Sequence, residues 1–211
     1  MKLTLYPSCI TQIFFASLLA LAAPTTLIAR TSTNSQAAPP AQPAVLPSNA
    51  DLAPMAARLT QFKRIKSNGS FYIVTFPARV GNNLIPASGP DLAQAITATM
   101  LLRAVSAKVA LQLPPTPPEP DDQRALWNFA RAVRDFARNK PAGPFYTLYA
   151  DYSVSPRWDL GSVHLVLCDP QGEWVIVDSQ TSRSPDYQAI KPVNWQGCDQ
   201  VIARHLQTLL H

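Results

Sequence analysis

Residues 145–179 read FYTLYADYSVSPRWDLGSVHLVLCDPQGEWVIVDS. Three runs rich in β-branched and aromatic residues follow one another there, at 145–155, 162–168 and 173–179. Such runs are typical of strands, and the Pro, Asp and Gly residues between them are typical of turns. Consecutive strands joined by short turns pair antiparallel. This stretch therefore predicts an antiparallel meander of three strands.

The turn at 169–172 sets the predicted register of the last two strands. It places His164 opposite Val177 and Val163 opposite Asp178, so that His164 and Asp178 point to opposite faces of the sheet. The predicted apolar side chains of one face are Val163, Leu165, Leu167, Trp174 and Ile176, and those of the other are Val166, Cys168, Val175 and Val177. Because both faces are apolar, we expect these strands to be covered on both sides.

His164 and Asp178 are also the candidate catalytic dyad of the sequence. They are similar to the His and Asp strands of transglutaminase-like and papain-like thiol enzymes, in which the pair activates a cysteine at an earlier helix start. The predicted domain has no cysteine before His164. Although a one-residue bulge would bring the pair to one face, we predict a structural histidine, no catalytic residue and no enzymatic activity. The alternative is a degenerate thiol-enzyme domain that lacks its nucleophile.

The residues outside the meander predict four helices and one further strand. In chain order they are a helix capped by Asp51, a strand at Ser70–Phe76, a helix at Asp91–Leu113, a helix capped by Asp121 or Asp122, and a closing helix at Cys198–Leu210. The spacing of apolar residues and the capping residues support these assignments. Together they predict an α/β (α+β) fold with a single mixed sheet of about four strands and helices packed on both faces.

The first fifty residues predict export. Lys2 precedes an apolar run at 10–23, and Ala20-Leu21-Ala22 provides the small residues that signal peptidase accepts. We therefore expect a signal peptide at 1–22, cleaved after Ala22, and a periplasmic or secreted protein; the alternative is an uncleaved anchor. The expected parts that follow are a disordered Pro/Ala/Ser-rich tether at 23–54 and a single mixed α/β domain at 55–211, with a Pro-rich internal linker at 114–120.

The composition allows a buried core and argues against a nucleic-acid partner. Of the 211 residues, 47% are hydrophobic and 15% are charged, which is typical of a packed domain. The net charge is +5, but Lys and Arg are spread along the chain without the concentrated positive face that phosphate binding needs. The sequence has no phosphate loop, metal-ligand spacing or nucleophile elbow, so we expect no cofactor and no metal.

Cys168 and Cys198 are the two cysteines of the predicted domain. An even number of cysteines in an oxidising compartment favours a disulfide between them, and two separate buried thiols are the alternative.

Two acidic pairs, Asp121-Asp122 and Asp169 with Glu173, fall at predicted caps and turns. Asp side chains at such positions commonly accept hydrogen bonds from nearby backbone N–H groups. Local hydrogen bonding therefore explains both pairs without a role in catalysis.

The tentative binding surface consists of Trp158, Arg124, Arg131 and Arg138. The three arginines recur every seven residues on the polar side of one predicted helix, where they could meet an anionic surface, although a solvated helix face is the more common reason for such a row. Trp158 lies at the tip of the first predicted turn of the meander. Together with Tyr149 and Tyr152 it would offer stacking surfaces, which gives a second alternative function, an envelope glycan-binding domain.

Three short motifs follow the order of the predicted elements. They are Ile73-Val74-Thr75-Phe76-Pro77, Ala150-Asp151-Tyr152-Ser153-Val154, and the strand-turn-strand through Asp169-Pro170-Gln171-Gly172-Glu173-Trp174-Val175. With the Ala/Leu-rich helix and the final amphipathic helix, they resemble the periplasmic domain of the curli-secretion lipoprotein family. Activator lipoproteins of penicillin-binding proteins and exopolysaccharide-export lipoproteins are similar. The resemblance covers about residues 68–210.

The chain departs from that family in lacking a lipobox and an evident membrane-inserting hairpin. The resemblance therefore implies neither outer-membrane anchoring nor a pore. It implies a non-enzymatic binding or assembly module of the bacterial cell envelope, with other envelope proteins or copies of itself as partners. We expect contact with the membrane only through an uncleaved signal.

Overall fold

The computed structural model describes the chain from Leu46 onward, with gaps. The described ranges are 46–67, 72–81, 83–100, 103–107, 113, 121–139, 143–154 and 160–210. The predicted signal peptide at 1–22, most of the predicted tether, the predicted linker at 114–120 and Trp158 lie outside these residues. The described residues belong to one compact unit, Gln42–His211.

Five helices and seven strands form in the described residues. The helices are α1 Asn49–Ser67, α2 Ser88–Met100, α3 Asp122–Asn139, α4 Pro185–Ile190 and α5 Trp195–Leu210. The strands are β1 Tyr72–Thr75, β2 Ala78–Val80, β3 Asn83–Ile85, β4 Arg103–Ser106, β5 Tyr146–Val154, β6 Leu160–Cys168 and β7 Trp174–Thr181.

The central strand β5 organises these strands into one mixed sheet. On one side, β5 pairs antiparallel with β6, and β6 pairs antiparallel with β7, which confirms the predicted meander. On the other side, β5 runs parallel first to β1 and then to β2, which pair in turn with β4 and β3. The predicted mixed sheet is therefore confirmed, but the predicted number of about four strands is wrong, since the described residues contain seven.

The sequence does not predict β2, β3 and β4, because each is only three or four residues long. A run this short shows no decisive alternation of apolar and polar residues. Gly81, at a φ of +58°, makes the tight turn between β2 and β3. β4 lies inside the helix predicted at Asp91–Leu113, because α2 ends at Met100 and the following residues pair with β1. That pairing is a tertiary contact that the local sequence does not reveal.

The start of α1 and the presence of α4 differ from the sequence prediction. α1 begins at Asn49, within the segment predicted as a tether. The backbone N–H and Oγ of Ser48 both donate to the carboxylate of Asp51, so Asp51 lies in the first turn and is not the residue that caps the helix. α4 forms in a polar segment for which no helix is predicted, with Pro185 at its first position, where proline is well tolerated.

The register of β6 and β7 is shifted by two residues from the predicted one. His164 pairs with Ser179 and Leu165 pairs with Asp178, so His164 and Asp178 still point to opposite faces. The turn closes with a hydrogen bond from the Asp169 N–H to the Glu173 carbonyl, and a bulge follows next to Cys168. Because of this bulge, two residues lie on the faces opposite to those predicted. Trp174 packs on the side of Val166, and Val175 packs on the side of Leu165.

Each face of the sheet carries its own apolar core, which confirms helices on both faces. On the α5 face, α2 and α5 bury residues such as Ile96, Ile202 and Leu206 against Leu165. On the α3 face, α3 buries Phe129, Ala130 and Val133 against Tyr149, Val166 and Trp174. The sheet is thus the middle layer of three, and its side chains alternate between two separate interiors.

Cys168 and Cys198 are both buried and both free thiols. Cys168 belongs to the core of the α3 face, and Cys198 belongs to the core of the α5 face. The sheet therefore separates two side chains whose Cβ atoms would have to approach to about 4 Å to form a bond. The predicted disulfide is wrong, and the alternative of two separate buried thiols holds. Burial raises the pKa of Cys198 to about 12 and that of Cys168 further still.

Candidate functional site

His164 is fully buried on the α3 face and lies between two aspartates. Its Nε2 is 2.8 Å from Oδ1 of Asp122, the first residue of α3. Its Nδ1 is 3.7 Å from Oδ2 of Asp151, which is its direct neighbour on β5. The register of β5 and β6 thus brings one carboxylate to the histidine, and the start of α3 brings the other.

The two aspartates at the start of α3 have different roles. Asp121 Oδ1 accepts the backbone N–H of Gln123 at 2.9 Å, which is the contact of a helix cap. Asp122 turns toward the sheet, where it accepts hydrogen bonds from Ser162 Oγ at 2.6 Å and from Ser179 Oγ at 2.8 Å. Local hydrogen bonding therefore explains Asp121, as predicted, but it does not explain Asp122.

Arg79 supplies a second positive charge beside Asp151. β2 runs parallel to β5 with Arg79 opposite Asp151, and Arg79 Nε donates to Asp151 Oδ1 at 2.8 Å. The guanidinium also lies 5.3 Å from the ring centroid of Phe129, where it gains a cation–π interaction. The residues joined in this way, which we call the His164 cluster, are Arg79, Asp122, Asp151, Ser162, His164 and Ser179.

The His164 cluster holds His164 and Asp122 in their charged forms. Burial alone would lower the pKa of His164, but the hydrogen bond to Asp122 and the nearby carboxylate of Asp151 outweigh it and raise that pKa to about 9. Burial alone would raise the pKa of Asp122, but its hydrogen bonds with His164 and Ser162 hold that pKa well below its usual range. At neutral pH, His164 is therefore an imidazolium and Asp122 a carboxylate.

The cluster contains serine, histidine and aspartate in an arrangement that does not support a hydrolytic triad. In a triad, the serine and the aspartate bond to different ring nitrogens, so that the histidine takes the proton of the serine. Here Ser162 Oγ, at 3.2 Å, and Asp122 Oδ1 both approach Nε2 of His164. An imidazolium has no lone pair with which to accept a proton, and Ser162 is buried. The geometry holds charges in place and does not prepare a proton transfer.

Asp178 does not join His164, in agreement with the predicted opposite faces. On the α5 face, Asp178 Oδ2 lies 2.6 Å from Nε2 of His205, and His205 Nδ1 lies 3.0 Å from Asp186 Oδ2. Arg204 Nε donates to Asp186 Oδ1 at 3.0 Å. These four residues, Asp178, Asp186, Arg204 and His205, form what we call the His205 cluster.

The His205 cluster repeats the chemistry of the first one. Burial would lower the pKa of His205, but its hydrogen bonds with Asp178 and Asp186 raise it. The sequence analysis does not single out His205 or Asp186. The available signal is that His205 follows Ile202 by three residues and so lies beside the apolar stripe of α5, where a polar residue needs a buried partner.

The three arginines of the tentative binding surface each have a local partner. Arg124 and Arg131 contact polar side chains three residues before them in the chain. Arg138 Nε donates to Glu173 Oε1 at 2.7 Å and thereby ties the end of α3 to the turn between β6 and β7. The row is therefore a set of separate contacts along one helix, as expected for a solvated face.

Two of the three aromatics of the glycan-binding alternative lie in the core. Tyr149 stacks on Phe76 with ring centroids 4.6 Å apart, and both tyrosines, Tyr149 and Tyr152, are buried. Neither ring offers a stacking surface to a sugar. The predicted stacking surface is therefore wrong for Tyr149 and Tyr152. Trp158, its third member, lies outside the described residues.

The described ranges contain no group of three or more His, Cys, Asp or Glu side chains that could hold a metal ion. No helix among the described residues combines the length and the apolar character needed to cross a bilayer.

Comparisons with known proteins do not assign a family. No protein-family model and no curated protein matches the chain. The crystal structure of an N-terminal amidase variant is similar to it at 12% sequence identity and a TM-score of 0.20, over 65% of this chain and 26% of the amidase. This chain thus spans about a quarter of that protein, and a TM-score this low supports neither a shared fold nor a shared activity.

Proposed function

We propose that this chain is a non-enzymatic module of the bacterial cell envelope, exported to the periplasm or secreted, that docks other envelope proteins or assembles with copies of itself. The observation that carries the proposal is the burial of His164 and its ion pair with Asp122. The histidine that the sequence singles out as a base is fully buried, positively charged and bonded to a carboxylate. The polar groups of the His164 cluster support the core of the sheet.

Export is the second part of this proposal, and it rests on the sequence. The apolar run at 10–23 and Ala20-Leu21-Ala22 support a signal peptide that is cleaved after Ala22. The resemblance to the curli-secretion lipoprotein family rests on the short sequence motifs alone and supports an envelope role. Neither feature names a partner.

Crosslinking in the native envelope tests the proposal. A photo-crosslinking residue at Val193, which is 91% exposed, should capture a defined protein or a second copy of the chain. The same residue at the buried Val163 serves as the matched control and should capture nothing. Mass spectrometry of the recovered chain should find an N-terminus at Ala23. Recovery from the cytosol with residues 1–22 intact would contradict export, and Val193 adducts no different from those of the Val163 control would contradict docking.

A second candidate function is a degenerate thiol-enzyme domain, and one observation favours it. Asp122 begins α3 and faces Nε2 of His164 at 2.8 Å, which is where the thiol families place a cysteine at a helix start. In this candidate, Asp122 stands where a nucleophile was lost. The carboxylate would then have replaced a thiolate in the same ion pair with the imidazolium.

The variant Asp122→Cys tests the second candidate. An imidazolium and a helix N-terminus both lower the pKa of a thiol, so the new thiol should react with iodoacetamide at pH 6 at least about tenfold faster than an ordinary cysteine. Cys168 and Cys198 are buried and should react slowly, so the rate of the new thiol is compared with that of free cysteine. A thiol at position 122 that reacts at the ordinary rate would remove this candidate.

A further inference from the structure

An open groove with a volume of about 560 Å³ runs between α2 and α5. This volume lies within the range of about 300–1,000 Å³ that is typical of ligand sites. The groove is separate from the His164 cluster, which lies on the α3 face. Its lining combines the carboxylates of Asp91 and Asp199, several glutamines, and the apolar side chains of Ala95, Ala98 and Ile190.

Asp199 is the unusual member of this lining because it is a buried carboxylate with one unused oxygen. Its side chain is 1% exposed, and its Oδ1 accepts the hydroxyl hydrogen bond of Tyr152. Its Oδ2 is buried and makes no hydrogen bond to any residue that the structure describes. Buried polar atoms are nearly always partnered, so an unpartnered one calls for an explanation, and a bound ion or ligand group is one such explanation.

Among the described residues that line the groove, Arg204 carries a positive charge, and it pairs with Asp186 and not with Asp199. Burial raises the pKa of Asp199 to about 7, the hydrogen bond from Tyr152 lowers it, and the charge of Asp91 raises it further. The side chain of Arg204 is also half exposed. A cationic ligand would therefore neutralise a carboxylate that the described residues leave uncompensated.

The geometry distinguishes between two kinds of cation. A guanidinium binds a carboxylate best through two parallel hydrogen bonds, which require both oxygens. At Asp199, Oδ1 already accepts the Tyr152 hydroxyl while Oδ2 has no partner among the described residues, so the unmet hydrogen-bonding capacity lies mainly on one oxygen. An ammonium is a compact charge with three donors that suits a single oxygen of Asp199, a second carboxylate and amide oxygens. The apolar side chains of Ala95, Ala98 and Ile190 suit the methylene groups of an alkyl stem.

We propose that the groove between α2 and α5 binds a primary alkylammonium group, supplied by a lysine side chain of a protein partner, with Asp199 Oδ2 and Asp91 as its anionic contacts. This inference rests on the proposed docking function and states the chemistry of the docked group. A free amine carries the same chemistry, so the test includes both sources.

Titration of the purified chain with n-butylammonium and with a short lysine-containing peptide tests the inference. Calorimetry at pH 8, where Asp199 is ionised, should show binding of both, with the peptide tighter than the free amine. The neutral analogue n-butanol should not bind, and n-butylguanidinium should bind more weakly. Equal binding of n-butanol, or no binding of either ammonium probe, would overturn the inference. Tighter binding of the free amine than of the peptide would overturn the assignment to a protein partner.

Two variants and one control locate the site. Asp199→Asn keeps the size of the side chain and removes its charge, so the affinity for n-butylammonium should fall at least about tenfold, the effect of losing one charge-assisted hydrogen bond. Asp91→Asn lies in the partly exposed first turn of α2 and should weaken binding less. Asp135→Asn, on the exposed side of α3, is the matched control and should leave binding unchanged. Unchanged affinity in the first variant would contradict the inference, and if that variant does not fold, Asp91→Asn decides.

The same variants separate this inference from the proposed function. If crosslinking at Val193 captures a partner equally well in the original chain and in Asp199→Asn, and the ammonium probes do not bind, the groove is not the docking site while the docking function stands. If the ammonium binds but the envelope experiment captures nothing, the groove is a site for free amines and the docking function fails.

Discussion

The His164 cluster and the His205 cluster place the same chemistry on opposite faces of one sheet. Each holds a histidine between two aspartates, and each raises the pKa of that histidine. His164 lies on a central strand, with partners from α3, β5 and β7 and with Arg79 behind Asp151. His205 lies on α5 and meets β7 and α4. The comparison shows that the same ion-pair motif joins one helix to several strands on the α3 face, and two helices to one strand on the α5 face.

The largest expected effect is that of His164→Ala. This variant leaves Asp122 without the cation that faces it, whereas Asp151 keeps its ion pair with Arg79. Breaking a buried ion pair costs about 3–5 kcal/mol, and the partial exposure of Asp122 places the expected loss at the lower end of that range. We expect urea denaturation at pH 7 to show a loss of this size. Val105→Ala, at an exposed position of the same sheet, is the control and should change the free energy of unfolding by less than about 0.5 kcal/mol. A loss below about 1 kcal/mol in His164→Ala would show that the cluster does not join the layers.

A smaller loss is expected for His205→Ala. In the original chain, hydrogen bonds of His205 to charged partners contribute about 1.5–3 kcal/mol. One partner, Asp178, is 40% exposed, so water can replace part of the hydrogen bonding that the variant loses. The same urea denaturation measures this variant. Equal losses of stability in His205→Ala and His164→Ala would show that the deeper burial of His164 does not make its cluster the more stabilising one.

The dependence of stability on pH gives the next effect. The pKa of His164 rises from about 6.5 in the unfolded chain to about 9 in the folded one. A raised pKa means that the stabilising contribution is complete below about pH 6.5 and is lost as the pH rises through about 9. Between pH 7 and pH 9, the free energy of unfolding should therefore fall by about 2 kcal/mol on account of His164.

The two histidine variants show how much of that fall belongs to each cluster. His205 also has a raised pKa and acts in the same direction. Asp199, with a pKa raised to about 7, destabilises the fold increasingly between about pH 4 and pH 7, so its effect lies mostly below this window. Most of the fall should disappear in His164→Ala and remain in His205→Ala. A fall of the same size in both variants would mean that other groups cause it.

The sequence predicts the meander and the α3 helix but not the whole sheet, for physical reasons. β5, β6 and β7 are eight or nine residues long, and the apolar positions of α3 such as Leu126, Phe129 and Val133 recur at helical spacing and are buried. These patterns are local. β2, β3 and β4 are strands because neighbouring segments of the sheet pair with them, and no local pattern of three or four residues contains that information.

The candidate site was predicted in part. The sequence singles out His164 and places it on the face opposite to Asp178, and both statements agree with the structure. Its partner Asp122 lies far away in the chain and next to a second aspartate, so sequence position alone assigns it to a helix cap. Asp186 and His205 meet through the packing of α4 on α5, which no spacing in the chain encodes.

The smallest expected effect separates Asp121 from Asp122. Asparagine caps helices about as well as aspartate, so Asp121→Asn should change the free energy of unfolding by less than about 0.5 kcal/mol. Asp122→Asn keeps the shape of the side chain but removes the charge that faces His164, and we expect a loss of about 1 kcal/mol, reduced by the partial exposure of this carboxylate. The histidine provides the more direct readout, because its pKa, followed by NMR, should fall in Asp122→Asn and stay near 9 in Asp121→Asn. Equal effects of the two variants on that pKa would mean that Asp122 is only a second cap, and that Asp151 alone keeps His164 charged.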